Sequence, residues 1–152
     1  MSTSSQLSTK LQQAVNDVLL ADVYKVVVNA EKQTIESDVY DSYTPKSYNR
    51  RREDGGLIAE SNFDGSIVED GVLKVSNITQ ANPDITTGTS KNAGKALVPM
   101  LVEGGDSNYD FGEPAPPSHR NFVKDTVDNL QNSDEIRKAL IKGLRAKGFR
   151  IK

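Results

Sequence analysis

A long segment without proline or glycine, from Thr9 to Ser37, constrains the fold of this chain most. Thr9 and Gln12 have the spacing of a capping box, in which two side chains satisfy the free backbone donors at a helix start. We therefore predict one long helix over residues 8–37. A helix of this span would be about 42 Å long, whereas a compact domain of this length is about 38 Å across.

The apolar residues of this predicted helix do not stay on one face. A first stripe contains Leu7, Leu11, Ala14, Val15, Val18 and Leu19. Its continuation is polar, at Asp22, Lys25 and Asn29. The later apolar residues lie on the opposite side: Leu20, Val23, Tyr24, Val27 and Val28. Either the helix bends, or its two halves contact different bodies, and we favour the second interpretation. The alternative is a strand over residues 23–28, because β-branched residues favour strands.

Three tyrosines follow the helix, close to Pro45, which should end any helical structure there. We predict that they join the second apolar face in a contact with a neighbouring subunit. The predicted interface residues are Leu20, Val23, Tyr24, Val27, Val28, Tyr40, Tyr43 and Tyr48.

A small, mostly antiparallel sheet is predicted in residues 57–102. Its clearest part is a hairpin within residues 66–78, where Asp70-Gly71 separates two apolar runs. Residues 57–63 could add a strand, and residues 96–102 read as another, which Pro99 would confine to an edge. The polar segment 79–95 between them is predicted to be a flexible loop.

Two helices are predicted at the C-terminal end, within residues 119–148. The first runs from about His119 to Gln131, and the second begins after Asn132 or Ser133 and ends at Gly148. Together with the long helix and the small sheet, they predict a single domain of residues 1–152 with an α+β fold.

No motif indicates catalysis, a metal or a cofactor. Cysteine is absent and His119 is the single histidine, which leaves little for a catalytic triad or a zinc site. Residues 88–95 resemble a phosphate-binding loop, but the spacing is one residue too long. Residues 106–117 begin like a calcium loop and lack its glycine and its glutamate. We therefore expect a protein that is not an enzyme.

Two basic clusters stand out in a chain whose net charge is −2. One is Arg50, Arg51 and Arg52. The other is the C-terminal segment, where every charged residue after Glu135 is basic and where Lys138, Lys142 and Arg145 share one helix face. We predict surface or intersubunit ion pairing for both clusters, with contact to DNA phosphates as the alternative. No secretory signal or membrane-spanning run is present in the sequence.

The order of these features resembles the tail-completion, or head–tail joining, proteins of long-tailed bacteriophages. The similarity is carried by a tyrosine-rich and arginine-rich segment at residues 39–57, by residues 75–77 and 101–105, by the proline-rich turn into residues 121–122, and by the tail at residues 140–148. Proteins of this group begin with a long helix, continue into a small sheet and end in helical segments.

The resemblance implies a structural subunit that forms a homo-oligomeric ring in the virion neck after synthesis in the host cytoplasm. Its expected partners are neck proteins on the portal side and tail-tube or terminator proteins on the other, with no cofactor and no membrane. The basic residues could contact packaged DNA without sequence preference, and the loop at 79–95 could become ordered only in the assembly. The alternatives are another phage structural role, such as terminator, stopper or decoration protein, or a nucleic-acid-binding accessory protein.

Overall fold

The computed structural model describes residues 3–42, 44, 51–81, 95–103 and 120–151. It has an α+β fold with a long N-terminal helix, a two-stranded antiparallel sheet and two C-terminal helices, as predicted. The chain forms two compact units. Unit 1 contains Met1–Ala30, Gly65–Ser76 and Asp128–Lys152, and unit 2 contains Glu31–Asp64 and Asn77–Val127.

The N-terminal helix has four consecutive segments. They are α1 (Thr3–Val18), a π-helical turn (Leu19–Val23), α2 (Tyr24–Ile35) and a second π-helical turn (Glu36–Tyr40). The helix begins before Thr9, whose hydroxyl donates to the Ser5 carbonyl at 3.1 Å within α1 instead of capping its start. Residues 23–28 are helical throughout, so the alternative of a strand there is wrong.

The first π-helical turn explains why the apolar stripe in the sequence changes face. The Tyr24 N–H donates to the Leu19 carbonyl, five residues back, so this turn holds one residue more than an α-helical turn. The extra residue rotates the following positions by about 100°. As a result Val23 is buried, while Asp22, Lys25 and Asn29 all point to solvent.

Unit 1 is built on the contact of α1 with α5 (Glu135–Ala146). Ala14 and Val18 of α1 form a buried cluster with Leu144 of α5. Partly buried apolar side chains surround this cluster: Val15, Leu140, Phe149 and Ile151. The helices approach closely at Gly143, where an added Cβ would lie 2.4 Å from Val18 Cγ1 and 2.6 Å from Asp22 Oδ2.

The end of α5 confirms the prediction of a stop at Gly148. Gly148 has a φ of +88°, a conformation that glycine adopts without a Cβ clash. Its N–H donates to the Arg145 carbonyl, and the Phe149 N–H donates to the Leu144 carbonyl. This pair of bonds is the Schellman motif, and its usual apolar contact is supplied here by Phe149 against the Leu144 cluster.

The hairpin in the middle of the chain also follows the prediction. Strands β1 (Phe63–Glu69) and β2 (Val72–Asn77) are joined by Asp70 and Gly71, and Gly71 has a φ of +80°. The turn contacts α1, because Asn16 Oδ1 accepts the Gly71 N–H at 2.9 Å and Asn16 Nδ2 donates to Asp70 Oδ1 at 3.1 Å. The Tyr24 ring packs directly over Gly65, where a Cβ would be 2.6 Å from Cδ2.

The strand expected over residues 57–63 is not formed. Leu57, Ile58 and Ala59 are buried in turns, a 3₁₀-helical turn follows at Glu60–Asn62, and only Phe63 belongs to β1. The backbone carbonyls here are satisfied by side chains instead of a strand ladder. Asn62 Nδ2 donates to the Gly56 carbonyl at 2.8 Å, and Asn77 Nδ2 donates to the Leu57 carbonyl at 2.8 Å.

The strand expected over residues 96–102 is also wrong, because a short helix, α3 (Leu97–Glu103), lies there. Pro99 is its third residue, where a missing N–H costs no helical hydrogen bond. Met100 and Leu101 are buried. Ala96 keeps one isolated antiparallel bridge to Gln80, and the N–H of Leu97 donates to the Thr79 carbonyl at 2.8 Å.

The remaining helix, α4 (Phe122–Gln131), starts slightly later than predicted. Asn121 Oδ1 accepts the Lys124 N–H at 3.0 Å, which is the geometry of an N-terminal cap. Phe122 is fully buried, and the Thr126 hydroxyl donates to its carbonyl at 2.7 Å. His119 lies outside the described residues.

Candidate functional site

The predicted interface residues of the N-terminal helix fall into two groups. Val23 and Val28 are 3% and 2% exposed, so the chain itself already covers their side chains. Leu20 is 43% exposed, and Tyr24 and Val27 are half-buried. Only this second group presents surface to a partner. Tyr43 and Tyr48 lie outside the described residues.

Tyr40 is part of a cluster inside unit 2. Tyr40 is 8% exposed, and its ring lies under the Arg52 guanidinium, whose central carbon is 4.8 Å from the ring centroid. Arg52 also pairs with Glu36, with an N–O distance of 2.7 Å to Oε1. The same guanidinium therefore has a cation–π contact and an ion pair within the unit.

The backbone around Arg52 is tightly turned. Arg52 has a φ of +46°, which is uncommon for a residue with a side chain. A Cβ on Gly56 would lie 2.4 Å from the Arg52 carbonyl oxygen, so only glycine fits there. Arg51 donates to the backbone carbonyl of Gln80. Both described arginines of the first basic cluster are thus bonded within unit 2, and Arg50 lies outside the described residues.

The second basic cluster has the opposite character. Lys138, Lys142 and Arg145 are all exposed on α5, as is Arg137. Arg145 donates to the Ile151 carbonyl at 3.0 Å, and Lys147 pairs with Asp17 at 2.8 Å. None of the ion pairs among the described residues includes Arg137, Lys138 or Lys142. These three cations face solvent.

A buried polar network in unit 2 was not foreseen from the sequence. Asn77 Oδ1 accepts both the N–H and the hydroxyl of Thr79, at 3.2 and 2.5 Å, while its amide group holds Leu57. Thr79 is fully buried, although the sequence placed it in the polar loop. Burial raises the pKa of Glu31, and a hydrogen bond with Asn77 partly opposes that rise. Of the flexible loop expected at 79–95, residues 82–94 lie outside the described residues, while its two ends are bonded to each other through the Ala81 N–H and the Lys95 carbonyl at 2.9 Å.

The described part of the chain shows no grouping that suggests catalysis or metal binding. No set of three or more histidine or acidic side chains within it could hold a metal ion. The sequences that resembled a phosphate loop and a calcium loop lie almost wholly outside the described residues. No described helix is long and apolar enough to cross a membrane.

Exposed apolar side chains are the other surface feature. In unit 1, Leu7 and Leu11 of α1 are 62% and 40% exposed. They occupy the same helix face as Ala14 and Val18, which α5 covers. The apolar stripe of α1 therefore continues past the segment that the described residues cover.

The described residues form an α+β fold with two surface features. Leu7 and Leu11 extend an apolar stripe of α1 into solvent, and α5 has a basic face whose Arg137, Lys138 and Lys142 have no ion-pair partner within that part of the chain. The YomN family model matches residues 3–146, and the chain belongs to this family. The YomN family is derived from phages, so the match indicates a phage protein. The match does not indicate a role in the neck or the tail. No curated protein and no solved structure matches the chain.

Proposed function

We propose that the chain is a structural subunit of the phage neck, where copies associate into a ring that completes the tail or joins head to tail. Membership of a phage-derived family supports a role in a phage particle. The resemblance to tail-completion proteins supports the position. A terminator, stopper or decoration protein would use similar contacts at another place in the particle.

The apolar stripe of α1 is the observation that carries the proposal. Leu7 and Leu11 continue the row of side chains that α1 uses against α5, but no described residue covers them to the same extent. Burying a leucine side chain contributes about 1.5–3 kcal/mol, and a ring repeats each contact in every subunit. A neighbouring copy that covers this stripe would therefore gain a stable, directional contact.

The proposal is tested by the mass of the purified chain in solution, measured by light scattering. We expect the natural protein to form an oligomer, and we expect the double variant Leu7→Gln, Leu11→Gln to be monomeric with an unchanged helical circular dichroism signal. Glutamine has a good helix propensity, so the substitution leaves α1 intact.

The matched control replaces two other exposed apolar residues of unit 1, with Val68→Thr and Val72→Thr on the hairpin. We expect the control to keep the oligomeric mass. A monomeric natural protein, or an oligomer that the α1 variant leaves intact, would contradict the proposal.

A further inference from the structure

The C-terminal helix α5 separates two kinds of surface. At about 100° per residue, Ile136, Leu140 and Leu144 lie on one side of the helix, and Leu140 and Leu144 pack with Ala14 and Val18 of α1. The arc that begins beside Leu144 and runs round to the far side of the helix contains Asp134, Arg137, Lys138, Ile141, Lys142 and Arg145, which line one open depression of about 420 Å³. Four of these six residues are cationic and one is anionic.

The charge of this arc is not neutralised within the described structure. Arg137, Lys138 and Lys142 have no ion-pair partner among the described residues, and Arg145 is held by a backbone carbonyl, which leaves its charge uncompensated. The surrounding sequence adds to the effect, because Glu135 is the only acidic residue after position 134, beside seven basic ones. In a chain of net charge −2, positive charge is thus concentrated at one helix face.

We propose that this face binds the phosphate backbone of double-stranded DNA without sequence preference. Lysine and arginine side chains on one exposed face are the usual means of neutralising phosphates. The face lacks two kinds of side chain that other modes of nucleic-acid recognition use. It has no aromatic side chain on which unpaired bases could stack, and no asparagine or glutamine that could read base edges.

The arginines at positions 51 and 52 are excluded from this surface. Both belong to unit 2, whereas α5 belongs to unit 1. Glu36 neutralises Arg52, and Arg51 donates to the Gln80 carbonyl within unit 2. The two basic clusters, which look equivalent in the sequence, therefore have different roles. DNA is thus a further partner of the proposed neck subunit. Binding of DNA by α5 does not require that copies of the chain form a ring.

The test uses the purified full chain and a duplex of mixed sequence, with binding followed by fluorescence anisotropy at several salt concentrations. Each phosphate contact contributes a slope of about −0.9 in a plot of log K against log salt. For three contacts we expect affinity to fall about 40-fold between about 50 and about 200 mM salt.

Two triple variants with the same change of net charge provide the comparison. The variant Arg137→Gln, Lys138→Gln, Lys142→Gln removes the free cations of the face. The control Lys10→Gln, Lys25→Gln, Lys74→Gln removes three exposed lysines elsewhere in unit 1. We expect the first variant to lose at least 10-fold in affinity at low salt and most of the salt slope, and the control to change less than threefold.

Three results would overturn the proposal. The natural chain could fail to bind the duplex at about 50 mM salt, or both variants could weaken binding equally. The α5 variant could also change the oligomeric mass while leaving DNA affinity intact, which would assign the face to a neighbouring protein. An oligomer that persists in the Leu7 and Leu11 variant, with DNA binding retained, would reject the α1 contact for the ring and leave this inference standing.

Discussion

Unit 1 and unit 2 use their polar side chains in opposite ways. In unit 1, apolar residues of α1 and α5 meet at Gly143, and most charged residues of α5 remain on the surface. In unit 2, the half-buried Asn77 forms a network with the buried Thr79 and Glu31. Polar groups of unit 2 thus stabilise its own turns, whereas Arg137, Lys138 and Lys142 of unit 1 have no ion-pair partner among the described residues. The difference indicates where assembly contacts should be sought.

The largest expected effect is on the buried network. Asn77→Ala leaves the Leu57 carbonyl without its donor and Thr79 without its acceptor, so we expect a loss of about 2–4 kcal/mol in the free energy of unfolding. Asn16→Ala is the matched variant in unit 1, where the same side chain bridges to the exposed hairpin turn. Water can replace those bonds, and we expect a loss of about 0.5–1 kcal/mol. Equal losses in chemical denaturation would remove the distinction between the units.

The close approach of α1 and α5 is tested by Gly143→Ala. In a free helix this change would be stabilising by about 1 kcal/mol. Here the added methyl group would overlap Val18 and Asp22, so we expect a net loss of about 1–3 kcal/mol in the free energy of unfolding. Lys142→Ala, next to it on the exposed side, should change stability by less than about 0.5 kcal/mol. A Gly143→Ala protein as stable as the natural one would show that the helices are not in this contact.

The turn at Arg52 can be separated into its side-chain and backbone parts. Arg52→Ala and Arg52→Gly both remove the contacts with Glu36 and Tyr40, but only glycine adopts a φ of +46° without cost. We expect the glycine variant to be more stable than the alanine variant by about 1 kcal/mol in denaturant unfolding. If the alanine variant were the more stable of the two, the backbone of Arg52 would not be in the left-handed region.

The smallest effect concerns pH. Burial raises the pKa of Glu31 in the folded state, so the folded chain holds this proton more tightly than the unfolded chain does. The stabilisation that the bound proton gives the folded state is present below the ordinary pKa of 4.5. It is lost as the pH rises through the raised pKa of Glu31 in the folded state. Glu31→Gln stays neutral, so its melting temperature should exceed that of the natural protein by an amount that grows with pH. The exposed Glu69→Gln variant is the control, and the same trend in both variants would contradict the assignment.

The sequence predicted the elements whose signals are local. The hairpin followed from Asp70-Gly71 between apolar runs, and the end of α5 from Gly148. Helix α3 was missed because residues 96–102 were interpreted as a strand that Pro99 would confine to an edge, although the first turn of a helix tolerates proline equally well. The π-helical turn was visible only indirectly, as an apolar stripe that changed face at Asp22.

The candidate surfaces were less predictable, because they depend on contacts between distant parts of the chain. Glu36 lies sixteen residues before Arg52, and no feature of either sequence segment predicts that the two side chains pair. The exposure of Leu7 and Leu11 depends on how far α5 reaches along α1. Sequence periodicity does not predict the length of that contact. The solvent-facing basic arc of α5, by contrast, followed directly from helical spacing.

Electron microscopy of the phage particle that contains this chain tests the central claim most directly. The account predicts density for a closed ring of copies at the junction between head and tail, with the Leu7 and Leu11 side of α1 turned toward the adjacent copy. A particle without this chain, or with it only on the head surface or along the tail, would contradict the proposed role.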